Sequence, residues 1–259
     1  MGGQAGAARE GRRMTNGYTK VFQNADAVDK YEHTTYAPGT YASHVGSRQR
    51  AYLRALVRRT FRTWRPTQHD FACGTGRAIR ALHGLVHEAH GYDTSADMMA
   101  KAAELGVNAA FHQVAAGGPV PAPVPTHGPA IVTMFRLMLN VQDDVRHRAL
   151  SFAAEALPNA EAGLLVVENH GNARSVRHLR ARRQADNPWF AELSHRQMYG
   201  LLRSHGFEVV QRRGFAMLSK GWYERPGLNR AARAFDAVAG KVPGADEFAV
   251  NVVYVARRG

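Results

Sequence analysis

The chain has 259 residues, 45% of them hydrophobic, enough for one or two domain-sized cores and against a disordered chain. Lys and Arg number 34 against 21 Asp and Glu, and the formal net charge of +13 raises the question of an anionic partner: nucleic acid, phosphate, a lipid surface or an acidic substrate. A single cysteine, Cys73, excludes an internal disulfide framework and a cysteine-based zinc cluster.

No apolar run reaches the ~20 residues of a membrane span. The first 13 residues are rich in Gly, Ala and Arg and have no apolar stretch, so they do not read as a secretory signal. A soluble, cytoplasmic chain is the expectation. Residues 1–16 read as a flexible tail, and Met14 offers an alternative start. Residues 17–64, rich in Tyr and Arg, read as a helical lid and substrate segment, with helical spacing over 48–61 that Pro66 ends. Residues 65–259 read as the core, with a loop–helix insertion at about 217–246.

Within that core, short apolar runs alternate with helical patterns. Strands are expected at 68–73, 87–92, 107–114, 130–135, 164–168, 207–213 and 248–256. Helices are expected at 77–86, at 96–105 with Gly106 as C-cap, and at 143–157 with an acidic first turn. Ser194-x-x-Gln197 is a capping box that opens a further helix, closed by Gly206. The Pro/Gly-rich stretch 117–129 cannot lie inside a sheet. This alternation implies an α/β three-layer sandwich with its ligands at the carboxyl ends of the strands.

The chemistry concentrates in His69-Asp70-Phe71-Ala72-Cys73-Gly74-Thr75-Gly76-Arg77. A strand runs into small residues and then a helix. Ala72, Gly74 and Gly76 let the backbone approach a ligand, and the helix N-terminus supplies free N–H donors. Position 79 is Ile, so the third glycine of a dinucleotide fingerprint is missing. Asp93 follows Asp70 by 23 residues, at the end of the second strand, where a carboxylate can accept both hydroxyls of a ribose. The next helix opens with Met98, an apolar cover for a nucleoside.

Asp-Phe-Ala-Cys-Gly-Thr-Gly followed by Gly-Tyr-Asp-Thr-Ser-x-x-Met-Met resembles motifs I and II of class I S-adenosylmethionine-dependent methyltransferases. The resemblance runs from about Tyr18 to the end and is most specific between Asp70 and Met99. Ala-Cys-Gly-Thr-Gly, Phe-His-Gln and Val-Thr-Met-Phe are similar to small-molecule methyltransferases of bacterial secondary metabolism and antibiotic biosynthesis.

The resemblance implies a Rossmann-like fold with a seven-stranded, mostly parallel sheet whose last strand is antiparallel. It implies S-adenosylmethionine (SAM) as cofactor. Ala72, Gly74 and Gly76 would pack against its methionine part and carboxylate, Cys73 lying among them as a small filler, while Asp70 orients the turn, holding backbone amides or, through water, the ligand ammonium. Asp93 would bind the ribose, with Thr94 and Met98 flanking the adenine. Phe135 and Arg136, after the fourth strand, would meet the ligand ammonium through backbone carbonyls. The family's acid after the third strand is absent from Gln113-Val114-Ala115-Ala116, which leaves adenine to Gln113 or to backbone such as Ala115. Gly128-Pro129 stands where the fourth strand usually opens with Asp.

Other candidates come from single residues. Arg48 suits a bidentate contact with a ligand carboxylate. Tyr18, Tyr31, Tyr36 and Tyr41 could close over the site, Tyr31 on the cofactor and the others on the acceptor. His170, after the fifth strand, is placed to take a proton from an acceptor, although the chain has 13 histidines and a satisfied loop histidine is the alternative. Asn140 is a candidate to orient the acceptor. Arg174, Arg177, Arg180, Arg182 and Arg183 are a possible phosphate surface or a solvated helix face.

The expectation is therefore methyl transfer to an O or N atom of a small molecule, a natural-product intermediate, with no metal. Nucleic acid and membrane are disfavoured as partners, and a homodimer is left open. An RNA methyltransferase and a non-catalytic SAM-binding module are the alternatives.

Overall fold

The computed structural model describes residues 28–29, 31–175, 177–178 and 192–259. The expected tail at 1–16, Tyr18, and Arg180, Arg182 and Arg183 lie outside the described residues.

Helix α1 (Tyr41–Thr60) begins seven residues before the helical spacing does. Thr40 caps it, its hydroxyl accepting from the Ser43 N–H at 3.2 Å. The buried stripe is Val45, Gln49, Leu53, Leu56 and Val57, so a polar residue interrupts the apolar period.

The strands are β1 (Thr67–Phe71), β2 (Ala89–Asp93), β3 (Ala110–Gln113), β4 (Ala130–Met134), β5 (Gly163–Asn169), β6 (Phe207–Phe215) and β7 (Asn251–Arg258). They form one seven-stranded sheet in the order β3-β2-β1-β4-β5-β7-β6. β7 is antiparallel to both β5 and β6, and the other pairings are parallel. This is the architecture expected, and the reversal of order between β1 and β4 opens a crevice at their carboxyl ends.

Helices α2 (Arg77–Leu82), α3 (Ala96–Glu104), α4 (Asp143–Ala156), α5 (His195–Ser204), α6 (Lys220–Glu224) and α7 (Leu228–Ala239) complete the layers. The expected Ser194 capping box is present in full. Helix α2 is shorter than predicted because His83 turns extended and Gly84 takes φ 78°. The insertion holds two helices and a 3-10 turn (Ala245–Phe248) rather than one helix.

Alternating strand residues feed opposite layers. Val132, Leu165, Val167, Val252 and Tyr254 pack with α4 and α5 on one face. Ile131, Leu164, Val166, Val253 and Val255 pack with α1, α2, Tyr223 and Ala232 on the other. The central strands β4 and β5 are buried throughout, whereas the edge strands β3 and β6 are partly exposed.

Among the described residues, three that are not glycine have a left-handed backbone: Ala72 (φ 59°), Arg136 (φ 60°) and Ala216 (φ 59°). Each lies just past the carboxyl end of a strand, β1, β4 and β6. These ends share one edge of the sheet, and strain of this kind collects where a fold builds a site.

Asp236 on α7, 1% exposed, fastens the insertion to α1. It pairs with His44 Nε2 at 3.2 Å and Arg48 Nη1 at 3.3 Å, and accepts from the Tyr223 hydroxyl and the Met217 N–H at 2.9 Å each. Burial raises its carboxyl, but the bonds from His44, Met217 and Tyr223 and the charge of Arg48 outweigh it, and the net shift is downward. A lowered carboxyl adds stability above its ordinary value and loses it as pH falls through the lowered one. Asp236→Ala, which strands Arg48, is expected to cost about 3–5 kcal/mol at pH 7, read by urea unfolding. A loss below ~1 kcal/mol would show that the network does not hold the insertion.

Candidate active site

The chain leaves β1 through Ala72, Gly74 and Gly76, with φ of 59°, 52° and 73°. The two glycines take this conformation without the cost of about 1–2 kcal/mol that it imposes on an L side chain. Gly76 is also pressed from behind, since a Cβ there would stand 2.9 Å from Val107 Cγ1. A Cβ on Gly74 would meet open space, so bare backbone faces the crevice at that point.

Asp93 ends β2 and ties this turn to the next. Its Oδ2 accepts from the Gly74 N–H at 2.8 Å and its Oδ1 from the Ser95 N–H at 2.9 Å. Ser95 in turn caps α3 by accepting from the Met98 N–H at 3.2 Å. Burial pushes the Asp93 carboxyl up, while the N–H donors of Ser95, Gly74 and Thr94 pull it down. Gln113 stands beside Asp93 in the neighbouring strand, and Gln113, Thr94 and Ala115 are exposed around it. Met98 is buried in the first turn of α3.

Asp70 also reaches across the sheet: its Oδ1 accepts from the Thr133 hydroxyl at 2.6 Å and so joins β1 to β4. At 2% exposure, burial pushes its carboxyl up to about 7, with Thr133 and Arg77 pulling the other way. A raised carboxyl stabilises the fold fully below its ordinary value of 3.8, and that contribution is lost as pH rises through about 7. Asp70→Asn keeps an acceptor for Thr133 and does not titrate. The parent is expected to lose stability relative to this variant between pH 4 and 7, by at most about 1.4 kcal/mol per pH unit. Parallel curves in urea unfolding at pH 4, 5.5 and 7 would refute a titrating Asp70.

The other half of the crevice lies at β4, β5 and β7. Glu168, 2% exposed on β5, accepts from Gln49 Nε2 at 2.6 Å and from the Arg136 N–H at 3.1 Å. Asn140 Nδ2 donates to the Arg136 carbonyl at 2.7 Å. The left-handed Arg136 is thus held at both of its backbone groups. The Tyr41 hydroxyl accepts from Asn251 Nδ2 at 2.6 Å, and the Arg77 guanidinium lies 4.0 Å from the Tyr36 ring centre. Tyr36, Tyr41, Arg77, Arg136, Glu168 and Asn251 line one narrow recess.

His170 follows this strand at 3% exposure, and both of its ring nitrogens are buried without a hydrogen-bond partner among the described residues. Burial, with the charges of Arg136, Arg177 and Arg77, holds its pKa well below the ordinary value and keeps the imidazole neutral. Arg177 Nη1 reaches the His170 carbonyl at 3.4 Å. The next residue, Gly171, packs so closely that a Cβ would stand 2.4 Å from Leu139 Cδ1.

The structure thus gathers Ala72, Gly74, Gly76, Asp93, Thr94, Met98, Gln113 and Ala115 around β1–β3, and Tyr36, Tyr41, Arg136, Asn140 and His170 around β4–β7. Arg48 is paired instead with the Asp236 carboxylate and carbonyl. The Cys73 side chain points out of the crevice into a cluster with Ile79, Met99 and Val107. Burial, with Asp93 and Asp70 adding, raises its thiol well above the ordinary value, so only its backbone serves the turn. Phe135 packs against the core as a wall. Tyr31 opens a π-helical turn (Tyr31–Thr35) before α1.

Gln49, Arg77, Glu168 and Asn251 were not singled out by the sequence reading. The available signals were a polar residue on the apolar stripe of α1 and an acid closing an apolar strand. A larger groove of about 620 Å³ lies elsewhere, between α5, β6 and the 3-10 turn. Its Arg174 and Arg212 are already paired with Glu247. Among the described residues no group of three or more His, Cys, Asp or Glu could hold a metal ion, and no helix is long and apolar enough to cross a membrane.

No protein-family model matches the sequence, and no curated protein matches it. Solved structures do match. Magnesium protoporphyrin IX methyltransferase from Synechocystis, with bound SAH, gives a TM-score of 0.60 at 12% identity and covers 93% of this chain and 99% of that one. A Haloferax volcanii protein solved with the Trm112 methyltransferase activator gives 0.58 at 17%, covering 90% and 93%. A SAM-dependent methyltransferase from Thermotoga maritima gives 0.57 at 15%, covering 93% and 100%. At these identities the likeness is one of fold. The chain has the class I SAM-dependent methyltransferase fold, as its motifs implied.

Proposed function

We propose that the protein is a SAM-dependent methyltransferase acting on an O or N atom of a small molecule, a natural-product intermediate. The observation that carries this reading is the pairing of Asp93 with the bare backbone of Gly74 at the crevice edge of this fold. The residues fit the cofactor. Asp93 keeps further lone pairs for two ribose hydroxyls, the open face of Gly74 leaves room for the methionine part, and Gln113 and Met98 border the adenine side.

When bound, the cofactor supplies a methyl group on a positively charged sulfur: the acceptor's lone pair forms the new bond to carbon, and the carbon–sulfur pair passes to sulfur. The chain's task is alignment, proton removal and exclusion of water. His170 is neutral, and a ring nitrogen takes the proton released by an acceptor O–H or N–H. Tyr36 and Tyr41 border the β4–β7 side of the crevice, from which the acceptor approaches.

Calorimetry with S-adenosylhomocysteine (SAH) tests the cofactor reading. Asp93→Ala is expected to weaken binding about 10- to 100-fold, the worth of hydrogen bonds to a charged group. A folded parent that binds no SAH would end the proposal.

His170→Gln is expected to slow methyl transfer about 100-fold or more while leaving SAH affinity unchanged. Because the imidazole pKa is depressed, the acid limb of the parent's kcat/KM profile is expected below the ordinary imidazole value of ~6.5. An acid limb at or above that value, or an active variant, would remove His170 as the base.

A further inference from the structure

We infer that His69, His90 and His112 form an acid-sensitive latch. At neutral pH it holds the edge strand β3 and the 114–129 stretch that follows; in mild acid it releases both, and with them the Gln113 side of the cofactor site. The release of β3 stands on its own, whereas its effect on the cofactor rests on the methyltransferase reading.

Strand register brings the rings together. His69 on β1 stands opposite His90 on β2, and Tyr92 on β2 opposite His112 on β3. Residues two apart on a strand share a face, so all four rings point to one side, toward Phe152 of α4. Ring centres are 5.4 Å apart between His69 and His90, 5.4 Å between His90 and His112, and 4.7 Å between Tyr92 and His112. His69 Nδ1 meets the Tyr92 hydroxyl at 3.2 Å, and that hydroxyl also accepts from the Val124 N–H at 3.2 Å. His90 Nδ1 meets His112 Nε2 at 3.2 Å. The contacts thus cross three strands and pin the following stretch at Val124.

This ladder has little room for further protons. With Val124 donating to the Tyr92 oxygen, the Tyr92 proton goes to His69 Nδ1, so the His69 ring is neutral and keeps its own proton on Nε2. That nitrogen is buried without a hydrogen-bond partner among the described residues, as is His90 Nε2. A single N–H lies between His90 and His112. Protonating both rings sets two N–H groups and two like charges face to face. Burial, then the neighbouring His90, hold His69 down to about 4, and the same two causes lower His112. Glu88 opposes this for His69; its side chain is half exposed and 3.7 Å from His90 Nε2. On α4, Arg148 is turned to the Gly118 carbonyl and Asp144, and His127 of the covering stretch is exposed.

A depressed imidazole stabilises the closed form above the ordinary value of 6.5, and that contribution is lost as pH falls toward the depressed one. A ring restored to its ordinary value on opening favours the open form by up to about tenfold for each pH unit below that value. Opening is easiest at β3, which has four residues, is partly exposed and pairs only with β2. Gln113 ends it, opposite Asp93.

The test is hydrogen exchange of the full chain, read by mass spectrometry and corrected for the intrinsic rate. Residues 110–114 are expected to be less protected than β4 and β5, and to lose at least about tenfold in protection between pH 7 and 5. His69→Gln and His112→Gln, each checked by thermal unfolding at pH 7, are each expected to shrink that loss at least about threefold. His127→Gln is the control and is expected to keep the parent's profile. SAH affinity, by calorimetry, is expected to fall over the same range at least about threefold more in the parent than in His112→Gln. Both proteins carry Asp70 and Asp93, so protonation of those acids cancels in the comparison.

Protection of β3 that does not change with pH, or that tracks β4 and β5 throughout, would overturn the latch. Equal losses in the parent and the two variants would assign the acid response to other groups and overturn it too. In the parent alone, imidazole carbon shifts followed by NMR are expected to show His69 titrating well below 6.5, and titration at or above that value overturns the latch without any variant. Equal SAH losses in the parent and His112→Gln would overturn the effect on the cofactor. A parent that binds no SAH at any pH refutes the methyltransferase reading, and the exchange result still decides the latch.

Discussion

A carboxylate at 2% exposure stays in a fold only if donors meet it, and Glu168 imposes that constraint on half of the crevice. One donor comes from the Gln49 side chain on α1 and the other from the Arg136 backbone N–H. The first brings a helix from the N-terminal part of the chain over the end of β5. The second draws the loop after β4 into a left-handed turn that Asn140 fixes from its carbonyl side. The recess, its arginines and the approach to His170 follow from these bonds. Loss of Glu168 would release Arg136 and α1 together.

The two halves of the crevice differ in electrical character. On the β1–β2 side stand two acids, Asp70 and Asp93, both shifted upward mainly by burial. On the β4–β5 side stand arginines and a histidine held neutral. The other arginine-lined groove is partly neutralised by Glu247.

What was legible in the sequence was local. The glycine turn, the acid ending β2 and the Ser194 capping box each depend on residues close together in the chain, whereas the antiparallel last strand followed from the resemblance those motifs carry. The N-terminus of α1 was hidden because Gln49 breaks its apolar stripe, and Gln49 is buried only because Glu168, 119 residues away, receives it. Tyr41 and Asn251 meet across 210 residues. Arg48 resembled a ligand-binding arginine until the fold brought Asp236 to it. Asp70 meets Thr133 on the neighbouring strand, 63 residues away. Such pairings are set by sheet order and helix placement, and no local pattern encodes them.

Arg48 and Gln49 show how far one turn of helix reaches. Successive residues on a helix point about 100° apart, so neighbours in sequence address different layers. Arg48 faces the insertion and pairs with Asp236, whose other partners include His44 one turn earlier. Gln49 faces the sheet and meets Glu168. Both contacts are buried at the acid, so each is costly to break and neither has water to replace it. A shift of α1 sufficient to free the insertion would therefore also pull Gln49 from Glu168 and loosen the Arg136 turn. The insertion and the recess are joined through two adjacent side chains, and the shape of the recess depends on the insertion being seated.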